Sequence, residues 1–190
     1  MSFVKKLSLA NKLNQTVFLS SQLAHLVSDY QDKKLHSAIK YAIGHGDLNR
    51  ITRGIYSFDR HYSRYEMANK YMSPSYISFY TELATAGIVF QPYSDIYLAS
   101  RRSQTVDIDD QKYIYRKLKD TILLNQLGIR IDNGVSWASP ERAVCDKIYL
   151  DGEEYFDNLR MINWDFMKKL NHEVYENNKL INLFIDKYES

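Results

Sequence analysis

Between Asp32 and Phe58 the chain reads DKKLHSAIKYAIGHGDLNRITRGIYSF, and the apolar spacing in this stretch admits few folds. Leu35, Ala38, Ile39, Ala42 and Ile43 recur at i, i+3, i+4, i+7 and i+8, which is one stripe of an α-helix. Asp32 stands where an N-cap would, and Gly44 where a helix would stop. The opposite stripe is Lys33, His36, Ser37, Lys40 and Tyr41: cations, small donors and one aromatic ring, with no acid. Two short β-prone runs follow, Leu48–Ile51 and Ile55–Phe58. They are joined through Thr-Arg-Gly, where Gly54 suits a tight hairpin turn, and they carry Arg50 and Arg53.

Upstream segments extend this pattern. Phe3, Leu7 and Ala10 have helical period, and Ser20 or Ser21 can cap a second helix whose apolar side is Leu23, Leu26 and Val27. The run SDYQD then turns the chain into the striped helix. Three helices with a short turn between the second and third, followed by a basic hairpin, predict a winged helix-turn-helix. In that fold the striped helix enters a major groove and the hairpin reaches phosphate or minor groove. The candidate DNA-facing set is therefore Lys33, Lys34, His36, Ser37, Lys40, Tyr41, Arg50 and Arg53. A winged helix that binds only protein, an adaptor, is the alternative use of the same module.

Charge divides the chain in the same place. Residues 1–60 carry nine Lys/Arg against four Asp/Glu, a surplus of five; residues 61–190 carry sixteen against nineteen, a deficit of three. The overall charge of +2 hides this asymmetry, which points to two modules with different partners. The run FDRHYS reads as a linker, placing the division at 1–60 and 61–190.

The second module reads as α+β with a helical C-terminus. Ser63 and Glu66 have capping-box spacing before RYEMANKYM. Tyr76–Ile77 is a short strand, and Ser78 is placed to cap FYTELATA, which ends at Gly87. DIYLASRR and KYIYRKLK read as strands with DIDDQ as the turn between them, and GVSW is another strand. SPERAVCDKIYLDG is a helix with Ser139 as cap, Pro140 in first position, Glu141 at the positive end and Gly152 at the stop. NLRMINWDFMKKL and NNKLINLFIDKY are the closing helices.

Chemistry is sparse by comparison. Seven scattered glycines form no phosphate-binding loop, and the five histidines lack metal-ligand spacing. No serine sits in a nucleophile elbow. Asp107, Asp109, Asp110 and Lys112 could hold a divalent cation for phosphodiester hydrolysis with Glu82 as a further ligand, or could form a solvated turn. The turn is the favoured reading, so no catalytic residue, metal or cofactor is assigned, and a nuclease-like enzyme stays as an alternative. The single cysteine, Cys145, lies beside Val144 and Ile148, as a buried thiol would. One cysteine fits a reducing cytosol. No run of apolar residues is long enough to span a membrane, and MSFVKKLSLANKLNQ lacks the features of a signal peptide. A cytoplasmic location is expected.

The order ITRGIYSF, PSYISFYTELATAGI, SPERAVCDKIYL resembles the AbiEi antitoxins of AbiE-type (type IV) toxin–antitoxin and phage-abortive-infection systems. The matching features are a basic wing ending in Arg-Gly-Ile-Tyr, a Ser-Tyr-Ile-Ser segment opening a helix that ends in glycine, and a Ser-Pro-Glu-Arg-Ala helix. They run from about Val17 to the C-terminus, and their specificity lies in order and spacing. The resemblance implies a DNA-binding transcriptional autorepressor acting on its own promoter, joined to an α/β antitoxin domain. It also implies a cognate nucleotidyltransferase-like toxin, whose effect is opposed without requiring a stable complex with it. Two departures stand out. Asp109–Gln111 replaces the glycine turn often found between the family's paired strands, and the helix-turn-helix turn lacks glycine.

Overall fold

A computed structural model describes residues 2–11, 15–27 and 32–189, and the chain divides into two compact units, Met1–Tyr71 and Met72–Ser190. The expected SDYQD turn and the capping side chain of Asp32 lie outside the described residues.

The first unit runs α1 (Phe3–Ala10), β1 (Val17–Leu19), α2 (Ser20–Leu26), α3 (Asp32–Gly44), β2 (Asn49–Thr52), β3 (Ile55–Ser57) and α4 (Arg64–Tyr71). Its three-stranded antiparallel sheet has the order β1-β3-β2. The core forms where the helical stripes meet: Phe3 and Leu7 of α1, Leu23 of α2, Leu35 and Ile39 of α3, and Phe18 of β1. The α3 stripe read from the sequence is thus its buried side.

Local contacts differ from expectation at two joints. Neither Ser20 nor Ser21 caps α2. The helix begins at Ser20 itself, and Gln22 Oε1 accepts from the Leu19 N–H at 3.0 Å. At α4, Ser63 Oγ does accept from the Glu66 N–H at 3.1 Å, but the Glu66 carboxylate does not return to Ser63. It accepts instead from Thr16, at 2.9 Å from the backbone nitrogen and 2.6 Å from the hydroxyl, and pairs with Lys70 at 2.7 Å. This buried carboxylate ties α4 to the start of β1. The FDRHYS run is likewise folded down: Ser57 Oγ donates to Asp59 O, Ser63 N donates to Thr16 Oγ1, and Tyr62 is buried. The division between units therefore falls after α4, whereas the sequence reading placed it before.

The second unit runs β4 (Ser75–Ile77), α5 (Phe79–Thr85), β5 (Ile96–Ser100), β6 (Gln104–Ile108), β7 (Gln111–Lys117), α6 (Asp120–Leu123), β8 (Ile129–Asp132), β9 (Val135–Ala138), α7 (Pro140–Asp151), α8 (Trp164–Glu173) and α9 (Lys179–Tyr188). Its mixed six-stranded sheet has the order β6-β7-β5-β4-β9-β8. β5 runs parallel to β7, and β4 parallel to β9; the remaining neighbours are antiparallel. The chain is thus mixed α+β. The two strands expected to flank DIDDQ are parallel neighbours, so that turn cannot join them. It belongs to a hairpin with β6, an edge strand the sequence reading did not separate from its surroundings.

α7 is the centre of this unit, packing on α5, α8, α9 and β9. Its cap is as expected, with Ser139 Oγ accepting from the Arg142 N–H at 3.2 Å. Every residue from Glu141 to Ile148 is buried, including Cys145, whose thiol burial pushes up from its ordinary range. Arg142 and Asp146 are both 0% exposed, one helical turn apart. The guanidinium donates to Leu127 O at 2.7 Å, Ile122 O at 2.7 Å and the Tyr76 hydroxyl at 3.0 Å. Tyr175 and Ser78 hydroxyls donate to the Asp146 carboxylate at 2.7 and 2.8 Å. Ser78 is therefore occupied by Asp146 and makes no capping bond to α5.

Removing one member of a buried, hydrogen-bonded charge pair leaves the other unpaired, at about 3–5 kcal/mol. Arg142→Ala is expected to lower the free energy of unfolding by that amount in urea titrations of the whole chain. A loss under about 1 kcal/mol, the scale of an ordinary surface change, would contradict this account.

Candidate nucleic-acid interface

α3 separates its two sides cleanly. Leu35, Ile39 and Ala42 face the core, while Lys33, Lys34, His36, Ser37, Lys40 and Tyr41 are all exposed. Lys33, Lys34, Ser37 and Ala38 line a shallow concavity on that outer side. At the far end, His45 Nδ1 lies 2.9 Å from Tyr41 O, and its ring stacks on Tyr41 at 3.8 Å. The helix stops at Gly44 as the spacing predicted, but the left-handed residue that turns the chain is Gly46, with φ 76°. There Asp47 N donates to Ala42 O at 2.9 Å, closing the exit towards β2.

The hairpin that follows brings the remaining candidates. Arg50 in β2 lies opposite Tyr56, and the register shifts between Arg50 and Thr52. Arg53 occupies the turn next to Gly54, whose φ of 78° only glycine takes without strain. Both arginines are exposed. Among the described residues none of Lys33, Lys34, Lys40, Arg50 and Arg53 is paired with a carboxylate. The turn is held from behind: Ser20 N donates to Gly54 O at 2.9 Å, and Ser20 Oγ donates to the same oxygen at 3.3 Å. An orphan donor at the start of α2 is thus satisfied by the hairpin turn. Sequence reasoning assigned Ser20 to capping and missed this tether, because serine at a helix start ordinarily serves its own helix.

The acidic group of the second unit is arranged otherwise. Asp107 lies opposite Lys112 across the β6–β7 hairpin, and Asp109 and Asp110 form its turn with φ of 48° and 61°. All four side chains are exposed. Left-handed backbone at both central residues is the two-residue turn that aspartate tolerates. Glu82 is buried on α5 and paired with Arg130 at 2.8 Å; burial pushes its carboxyl above the ordinary range against that pairing. Among the described residues no three His, Cys, Asp or Glu side chains group as a metal would require.

A tyrosine-rich ionic cluster lies elsewhere in the second unit. Tyr80 stacks on Tyr93 at 4.2 Å and meets Tyr97 edge-on at 5.4 Å. Lys147 lies 4.7 Å from the Tyr80 ring and pairs with Asp151 at 2.8 Å and with Glu154. Arg116 grips Asp151 with two bonds of 2.5 and 2.6 Å, which holds the Asp151 carboxyl down to about 2. The cations here are fully engaged by carboxylates, in contrast with those of α3.

Neither the models of known protein families nor the curated proteins yield a match to this chain. Among the described residues no helix is long and apolar enough to cross a membrane.

Two outcomes follow from this geometry. Stripping the outer side of α3, as in Lys33→Ala, Ser37→Ala or Lys40→Ala, should change stability by no more than about 0.5 kcal/mol, whereas Ile39→Ala should cost about 2–5 kcal/mol. Chemical denaturation of the four variants compares them directly. The second concerns acid. Because the folded Asp151 pKa is depressed, its stabilisation is present above the unfolded value of about 4 and is lost as pH falls through about 2. Asp151→Asn should therefore flatten the decline of thermal midpoint between about pH 4 and pH 2; an unchanged slope would count against the Arg116 clamp.

Proposed function

We propose that the protein is a DNA-binding transcriptional autorepressor and antitoxin of the AbiEi type, acting in the bacterial cytoplasm. Its toxin would be nucleotidyltransferase-like, and opposing it would not require a stable complex. The observation that carries the DNA-binding half is the surface of the first unit. An acid-free helix side carrying lysines stands beside a hairpin carrying arginines, none of them paired with a carboxylate among the described residues, on one small core. The element order α1-β1-α2-α3-β2-β3 and the strand order β1-β3-β2 support reading this unit as a winged helix-turn-helix. In that fold α3 would be the recognition helix and Arg53 would tip the wing. The antitoxin half rests on the ordered resemblance of the three sequence segments. α7, with its Ser-Pro-Glu-Arg-Ala start, is the centre of the unit that would carry it.

The two sets of basic residues should behave differently. A lost phosphate contact flattens the slope of log affinity against log salt by about 0.9 and weakens binding to any sequence. A lost base contact costs about 1–3 kcal/mol on the operator and little on random DNA. Arg53→Ala is expected to weaken promoter and scrambled DNA alike, while Ser37→Ala and Lys40→Ala erode the preference for the promoter. Titration of both DNAs at several salt concentrations separates these outcomes. If neither DNA binds at low salt, the adaptor reading replaces this one. The antitoxin half is tested in cells: a folded whole chain carrying Arg53→Ala and Lys40→Ala should lose repression yet still protect against the co-expressed toxin. Loss of protection together with repression would sink the division of labour.

A further inference from the structure

The six-stranded sheet ends on β8, whose outer side pairs with no other strand among the described residues. Edge strands present unpaired N–H and C=O groups and are ordinarily defended by charge, proline or brevity. β8 is defended in an unusual way. Its sequence, Ile129-Arg130-Ile131-Asp132, places an exposed apolar residue between two opposite charges. Ile131 is 74% exposed, among the most exposed large apolar side chains of the second unit.

The direction of its backbone groups follows from the turn. β8 and β9 are joined through Asn133 and Gly134, with φ of 48° and 77°, and Asp132 lies opposite Val135. In such a two-residue hairpin the closing pair exchanges hydrogen bonds, and bonded and non-bonded pairs then alternate. Asp132 and Arg130 therefore direct their backbone groups inward, to Val135 and Trp137, and Ile131 directs its N–H and C=O outward.

We infer that β8 is the docking edge for a second copy of this chain, two β8 strands pairing antiparallel about a two-fold axis through Ile131. This register satisfies three requirements together. The outward N–H and C=O of Ile131 meet those of the partner's Ile131, giving two reciprocal hydrogen bonds at the axis. On one face of the strands the two Ile131 side chains cover each other. On the other face Arg130 lies opposite the partner's Asp132, and the reverse pair is identical. Arg130 already holds Glu82 at 2.8 Å, but its side chain is 44% exposed and its guanidinium has donors to spare. A slip of one residue would set Arg130 against Ile131 and lose both matches. The opposite edge of the sheet has no such symmetry: about Val106, Asp107 of β6 would face Thr105. The contact is isologous and small, so it belongs with transient interfaces. It is independent of the DNA-binding reading and would persist in a chain that binds no DNA.

Sedimentation velocity of the whole chain without DNA, over about 1–300 μM where such interfaces dissociate, tests it. The weight-average mass should rise from 22.4 kDa towards twice that value. Ile131→Pro removes the outward N–H, which an edge strand can lose without breaking its inner ladder. Asp132→Lys sets a cation opposite each Arg130. Each variant should stay at monomer mass across the range, with near-UV circular dichroism unchanged. If Ile131→Pro does not fold, Asp132→Lys, a substitution at an exposed side chain, decides alone. A wild-type chain that is monomeric throughout, or a dimer that a folded Asp132→Lys leaves intact, overturns the inference.

Discussion

The second unit is organised around one buried ion pair. Arg142 and Asp146 reach, from one helix, the carbonyls of Ile122 and Leu127 and the hydroxyls of Tyr76, Ser78 and Tyr175. Those groups come from the end of β4, from α6, from the loop before β8 and from the turn after α8. Two charges withdrawn from water need hydrogen-bond partners, and these segments supply them; Arg142 Nε, which makes no hydrogen bond, faces Asp146 at 3.5 Å as an ion pair. The same network explains the tyrosines of the interior. Burial pushes the Tyr76 and Tyr175 hydroxyls well above their ordinary range, which favours the protonated form that donates to Asp146.

The first unit relies on a smaller device of the same kind. Glu66, buried on α4, gathers the Thr16 N–H, the Thr16 hydroxyl and Lys70. Lys70 also donates to Val17 O. Both units therefore use a carboxylate on a helix to fix a strand distant in sequence. They differ in what they leave outside: cations on α3 and the hairpin of the first that meet no carboxylate among the described residues, and cations neutralised by carboxylates in the Arg116–Asp151–Lys147 cluster of the second.

Much of this was legible in the sequence where the signal is local. The α3 stripe, the hairpin at Gly54, the Ser139 cap and the α7 stop at Gly152 each depend on residues a few positions apart, and each lies close to where the spacing predicts. What escaped depends on distant partners. Ser78 has the position of a cap, yet Asp146 takes its hydroxyl from across the unit. Ser63 and Glu66 have the spacing of a reciprocal box, yet Thr16 takes the carboxylate, which moves α4 into the first unit. β6 and β8 escaped because they are short: QTVDI and IRID alternate polar and apolar residues over only four or five positions, too few to stand out from the neighbouring loops. Arg142 was hidden in plain view. Every residue from Glu141 to Ile148 is buried, and the partners that meet the Arg142 and Asp146 charges lie far away in sequence, where local spacing gives no sign of them.

The strand order also sets a timetable for synthesis. β4 is emitted early, but its parallel neighbour is β9, with Ile77 opposite Trp137, and its Ser78 waits for Asp146. The centre of the sheet cannot close until most of the second unit has left the ribosome, since distant pairings carry the loop entropy of everything between them. The first unit has no such debt to later residues: its sheet, its helices and its Glu66 anchor all lie before Met72. A nascent chain would thus present its basic helix and hairpin before the second unit has formed its core, and early interruption of translation would release the one without the other.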